Sequence, residues 1–133
     1  MRGLTFDTRG RARIAIVGTG LRGRAVLAEL LTIEGAEITA IADLRPANAA
    51  LALDDIKAAK RPAPAVYTGG ERDFERLVQR DDIDLVYTAT PWEWHVPVCL
   101  AALNAGKHAA TECPAGATLE ELWALVDAAE RNR

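Results

Sequence analysis

The sequence predicts an α/β domain built on a doubly wound parallel sheet, and three observations carry that expectation. Short, continuously apolar runs recur along the chain, as in strands buried on both faces. Helix-length segments separate these runs, which implies parallel strands with helices laid over both sides of the sheet. A glycine-rich turn, Gly18-Thr19-Gly20-Leu21-Arg22-Gly23, joins the first strand to the first helix, and Asp43 closes the next apolar run about 20 residues past Gly23.

The elements follow in order. Strand one is Ile14–Val17, and helix one is Leu21–Leu31, with Leu21, Ala25, Ala28 and Leu31 on its apolar face. Strand two is Ile38–Ala42. Helix two opens at Pro46, a residue suited to a first turn, and runs to about Ala59. Arg61-Pro62-Ala63-Pro64 breaks the pattern before a short strand at Val66–Tyr67 and a small helix, Phe74–Gln79. Strand four is the β-branched run Ile83–Thr88. Helix four covers Pro97–Ala105 and is stopped by Gly106; strand five is His108–Thr111. The last helix opens on Thr118-Leu119-Glu120-Glu121, a capping box, and runs to the C-terminal arginines.

Each glycine of the turn has a physical task. Gly18 permits the tight turn, Gly20 lets the backbone approach a pyrophosphate, and Gly23 lets the helix lie close on the sheet. The amides that open the helix face phosphate, with the positive end of the helix dipole behind them. Asp43 is placed to accept hydrogen bonds from the ribose diol of NAD and to repel the 2′-phosphate of NADP. A ligand-free βα turn is the plainer alternative. The preceding strand, the following helix and the acid at the next strand end all favour a dinucleotide site.

Composition narrows the classes. The chain has 133 residues, net charge −3, half of its residues apolar and 26% charged. That is one soluble domain with room for a core, and it gives no case for nucleic acid or an anionic membrane. Four arginines fall within residues 2–13 without an apolar segment behind them, so residues 1–12 read as a flexible leader rather than a signal peptide or anchor. The folded domain is expected over 13–133. Cys99 and Cys113 have no metal-type spacing, and His108 at a strand start has a structural role, so a reduced cytoplasmic protein with no metal is expected. A parent protein could still be exported.

A second informative segment, Ala89-Thr90-Pro91-Trp92-Glu93-Trp94-His95-Val96-Pro97, directly follows strand four. Ligands of an open parallel sheet bind at the carboxyl ends of the strands, where strand order reverses. Trp92 to His95 are therefore expected beside the nicotinamide half of a dinucleotide. Trp94 could equally cap the core, and His95 could be a packing or helix-capping histidine. A third segment is Ala105-Gly106-Lys107-His108-Ala109-Ala110-Thr111-Glu112-Cys113-Pro114.

With the glycine fingerprint and Thr90-Pro91-xxx-His95, that segment resembles the N-terminal Rossmann domain of the Gfo/Idh/MocA oxidoreductase family. The resemblance spans about Arg13 to Glu130. The family's strand end reads Glu-Lys-Pro, whereas this sequence has Glu112-Cys113-Pro114. In the family's dehydrogenases that lysine assists deprotonation of the substrate hydroxyl. The missing lysine and the Trp-Glu-Trp-His string instead resemble the family-109 glycoside hydrolases. So do Arg61-Pro62-Ala63-Pro64, Tyr67-Thr68-Gly69-Gly70 and Leu119-Glu120-Glu121-Leu122-Trp123. The resemblance implies NAD contacts at Leu21, Arg22, Asp43, Trp92, Glu93, Trp94, His95, Glu112 and Cys113. Cys113 could be a nucleophile, but no cation is expected beside it, which favours an inert lining residue.

The implied activity is hydrolysis of α-N-acetylgalactosaminides with NAD as a retained cofactor. The sugar is oxidised at C3, loses its C2 proton, and expels the C1 leaving group. His95 is a possible catalytic residue here; the main acid, base and sugar-binding groups are expected in a second, α+β domain. The sequence stops after the helix that would lead to a sixth strand, leaving strand five as an open edge, so self-association, as in a homo-oligomer, or low solubility is expected. Two readings compete with this one. They are the matching portion of an NAD-dependent sugar or cyclitol dehydrogenase, and a stand-alone nucleotide-binding module.

Overall fold

The computed structural model describes residues 10–132. Residues 1–9, most of the expected leader, lie outside that span. The sheet contains five parallel strands: β1 (Ala12–Val17), β2 (Ala36–Ala42), β3 (Ala65–Tyr67), β4 (Leu85–Thr88) and β5 (His108–Thr111). Their spatial order is β3-β2-β1-β4-β5. The order therefore reverses between β1 and β4, which makes the carboxyl ends of those two strands the natural ligand crevice.

Five α-helices cover the sheet: α1 (Leu21–Thr32), α2 (Pro46–Ala58), α3 (Phe74–Leu77), α4 (His95–Asn104) and α5 (Leu119–Arg131). Strand alternation sends alternate side chains into two separate cores. Ile14, Ile16, Ile38 and Ile41 pack with Leu27 of α1 and with Ala49, Ala52 and Ile56 of α2. Ala15, Val17, Ala40 and Val86 pack on the other face with Phe74, Leu77, Val98 and Ala102. Both faces of the sheet are thus covered, as the unbroken apolar runs require. Leu27 is fully buried, and its truncation to alanine is expected to cost roughly 2–5 kcal/mol.

Several boundaries differ from expectation by one or two residues, and three have a physical reason. β1 begins at Ala12, because its amide donates to Gly35 O at 2.8 Å. β4 begins at Leu85 rather than Ile83. The Asp84 carboxylate accepts from Arg13 N, Nε and Nη2 at 2.9, 3.0 and 2.7 Å, taking the Arg13 amide into a side-chain clamp, while Asp84 N still donates to Arg13 O at 2.8 Å. α4 begins at His95, two residues before Pro97, after a 3₁₀ turn over Trp92–Trp94. Proline is tolerated in a first helical turn, where backbone amides have no intrahelical partner. The capping box at α5 forms as expected: Thr118 Oγ1 accepts from Glu121 N, and Glu121 Oε2 accepts from Thr118 N. Among the described residues no helix is long and apolar enough to cross a membrane.

Candidate dinucleotide site

The glycine turn is held by sterics. Gly18 has φ +87°, and a Cβ there would lie 2.8 Å from the Ala89 carbonyl group. A Cβ on Gly23 would lie 1.9 Å from Gly18 O, so α1 can pack this closely only with glycine at that position. Gly20 differs: a Cβ there would meet only the Asn48 amide, at 3.8 Å. Among the described residues nothing requires glycine at position 20. The space it leaves borders a cleft of about 370 Å³ lined by Gly18, Gly20, Asp43, Asn48, Thr90 and Trp94, among others. α1 opens there with no side-chain cap and no acidic residue in its first turn. An uncapped helix start facing a cleft opened by a glycine fits a pyrophosphate.

Asp43 stands at the end of β2 and is already engaged. Its Oδ2 accepts from Thr19 N at 2.7 Å and Thr19 Oγ1 at 3.1 Å, and its Oδ1 accepts from Arg45 N at 2.8 Å and Asn48 Nδ2 at 3.2 Å. The carboxylate thus shapes the glycine turn as well as lining the cleft. Thr19, fully buried, is a site residue that sequence reasoning passed over. Its signal was its place between the two glycines, where a hydroxyl with no water to bond must find an acceptor.

The loop after β4 divides its residues. Trp94 is half-buried, packs edge-on against Phe74 with centroids 5.9 Å apart, and lines the cleft, so its indole both caps the core and faces a ligand. Glu93 lines the cleft as well, while Trp92 is 69% exposed outside it. His95 is 1% exposed. Its Nδ1 lies 2.7 Å from Pro114 O and its Nε2 lies 3.0 Å from Thr90 O. Both ring nitrogens therefore face backbone carbonyls, and the imidazole pins the loop after β4 to the loop after β5. Its position is that of a loop tie, behind the surface of the cleft.

Leu21, Arg22, Glu112 and Cys113 gather on the other side of the turn. Leu21, 94% exposed, opens α1. Arg22 Nε donates to Glu112 Oε1 at 2.7 Å, and the Tyr87 hydroxyl donates to the same oxygen. The Arg22 and Tyr87 hydrogen bonds hold the Glu112 carboxyl below its usual range. Burial, then the bond to Glu112, pushes the Tyr87 phenol up to about 12. Cys113 is exposed and Cys99 is buried; neither is in a disulfide. Burial pushes the Cys99 thiol up to about 11. Among the described residues no cluster of His, Cys, Asp or Glu is arranged to hold a metal ion.

The chain is 45% identical, over its whole length, to a glycosyl hydrolase family 109 protein of Saccharopolyspora erythraea, of which it covers 29%. It is 42% identical over 121 residues, 91% of the chain, to an alpha-N-acetylgalactosaminidase of Shewanella oneidensis, of which it covers 26%. The chain therefore spans less than a third of the length of these relatives. Among solved structures it resembles myo-inositol dehydrogenase of Lactobacillus casei in complex with NAD(H) and myo-inositol. The TM-score is 0.76 and the identity 31%, covering 89% of this chain and 33% of that one. A family model described as "Oxidoreductase family, NAD-binding Rossmann fold" matches residues 12–133. With nearly the whole chain matched, and with the glycine turn, strand order and cleft that such a fold requires, this chain belongs to the Gfo/Idh/MocA oxidoreductase family as its NAD-binding Rossmann domain.

Proposed function

We propose that this chain binds NAD, in preference to NADP, for a family-109-like glycosidase that hydrolyses α-N-acetylgalactosaminides. The observation that carries the reading is the cleft beside Gly20, with Asp43 at its β2 edge, in a chain 45% identical throughout to a glycosyl hydrolase family 109 protein. The amides of Leu21 and Arg22 hold the pyrophosphate at the start of α1. Asp43 accepts from the adenosine ribose diol, and its charge disfavours a 2′-phosphate. Glu93 and Trp94 line the cleft, and Trp92, Glu112 and Cys113 approach the nicotinamide side. His95 fixes the two loops that carry these groups.

When bound, NAD supplies reversible hydride acceptance from sugar C3, which acidifies the C2 hydrogen and opens elimination at C1. This chain's residues hold and orient the cofactor. The proton-transfer and sugar-binding groups belong to the portion of the relatives that this chain does not span. The test is turnover in heavy water by this sequence extended to the length of its relatives. Deuterium at C2 of the released sugar, with no NADH accumulating, is expected. Hydrolysis that persists in cofactor-stripped enzyme, with no label at C2, would overturn the reading.

The likeness to an inositol dehydrogenase supports the alternative, an NAD-dependent sugar or cyclitol dehydrogenase. Cys113 in place of the dehydrogenases' lysine counts against it. Stoichiometric NADH accumulation in the same assay would favour it. β5 lies at the sheet edge, and Leu119, Leu122 and Trp123 of α5 are exposed, which supports self-association of the chain. A monomer at high concentration in sedimentation would refute that.

A further inference from the structure

Two carboxylates flank the glycine turn. Asp43, at the end of β2, grips it through Thr19; Glu112, at the end of β5, grips the first turn of α1 through Arg22. A dinucleotide laid over the turn carries a ribose on each side, so the second carboxylate is placed as the counterpart of the first. Glu112 lies two positions beyond the strand residue Ala110, which pairs with Tyr87 across β4 and β5. That register brings the phenol under the carboxylate. Tyr87 and Arg22 both donate to Oε1 of Glu112, and Oε2 receives neither bond.

We propose that Tyr87 is a positioning residue for dinucleotide binding. Together with Arg22 it fixes one oxygen of Glu112, so that the other is presented to a hydroxyl of the nicotinamide-side ribose. The inference rests on the NAD-binding reading given above. A phenol suits the task. It is a neutral donor on a stiff, half-buried ring packed against the apolar groups of the α1–α2 core, where its hydroxyl finds an acceptor in Glu112. The groups that govern the charge of Glu112 are Arg22 from α1, Tyr87 from β4 and Cys113 beside it. The two side-chain donors stabilise the anion, so losing one lets the carboxyl protonate at a higher pH.

The experiment is calorimetric titration of NAD into the 133-residue chain and its variants across the acid range, with circular dichroism to confirm folding at each pH. Tyr87→Phe keeps the ring in the core and removes only the hydroxyl. It is expected to weaken NAD binding about three- to tenfold. Its acid-side loss of binding is also expected to begin at a higher pH than in the unaltered chain. Glu112→Gln keeps an acceptor but no ionisable group, so its binding, already weaker, is expected to show no acid-side fall from this position. Tyr87→Phe that binds NAD like the unaltered chain overturns the proposal. So does weaker binding with an unmoved acid profile, because packing alone would explain it. An unaltered chain that binds no NAD overturns this proposal and the dinucleotide reading together; normal binding by the chain with an unaffected Tyr87→Phe overturns only this one.

Discussion

The half of the site built from β1, α1 and β2 and the half built around β4 and β5 hold their groups by different means. In the first, glycine sterics dominate: Gly18 makes the turn against Ala89, Gly23 seats the helix on it, and Asp43 joins the turn to the end of β2 through Thr19. In the second, side-chain hydrogen bonds do the work. Arg22 meets Glu112 across 90 residues, Tyr87 meets it across 25, and His95 ties Thr90 to Pro114. The first half is fixed chiefly by backbone sterics at Gly18 and Gly23, which tolerate almost no change there. The second is fixed by hydrogen bonds, whose loss is graded.

That difference predicts a ranking. Gly23→Ala is expected to have the largest effect, because its Cβ would overlap a backbone oxygen that has nowhere to move. A loss of about 3 kcal/mol or more in denaturant unfolding is expected. Gly20→Ala sharpens the point. With only the Asn48 amide nearby, it should leave stability within about 1 kcal/mol of the unaltered chain while weakening NAD binding. If Gly20→Ala and Gly23→Ala destabilise equally, the division between a steric and a ligand-facing glycine is wrong.

Next comes His95→Ala in the second half. It removes a buried ring and the donor between two carbonyls, and should cost on the order of 2–4 kcal/mol by the same unfolding measurement. Unchanged stability would mean that the two loops are held together by something other than this side chain.

Asp43→Ala is expected to narrow the preference for NAD over NADP by on the order of 1.5–3 kcal/mol, read by titrating both dinucleotides. It also removes the acceptor of Thr19, so a modest fall in stability should accompany it. Equal binding of both dinucleotides by the unaltered chain would sink the role given to Asp43.

The smallest effect is electrostatic. Arg24 holds the Asp55 carboxyl below its ordinary value of 3.8, and Arg80 does the same to Asp82 ahead of β4. A depressed carboxyl contributes stability that is complete above its unfolded value and is lost as pH falls through the folded one. Thermal midpoints should therefore fall below about pH 4. The change should be slight, since the side chains of both pairs are between 31% and 46% exposed and screened by water. Arg24→Gln should shrink the acid response by the Asp55 share alone. An identical response in that variant would show that the pair contributes nothing measurable.

The sequence by itself determined the strand–helix alternation, the glycine turn, Asp43, the capping box at Thr118 and the two loops after β4 and β5. Each is written in neighbouring residues, as an apolar period, a glycine that only sterics can demand, or a cap. It could not assign the partners of His95 and Tyr87. A histidine in a loop and a tyrosine in a strand have the same local pattern whether they face a ligand or a carbonyl. Only the sheet order, which sets β4 between β1 and β5, brings Tyr87 under Glu112 and Glu112 against Arg22. Only the packing of α4 against the β4 and β5 ends buries His95 between Thr90 and Pro114. Local conformation depends on residues a few positions apart. The partner of a buried polar atom depends on which distant segment the fold delivers to it, and that is decided by tertiary structure alone.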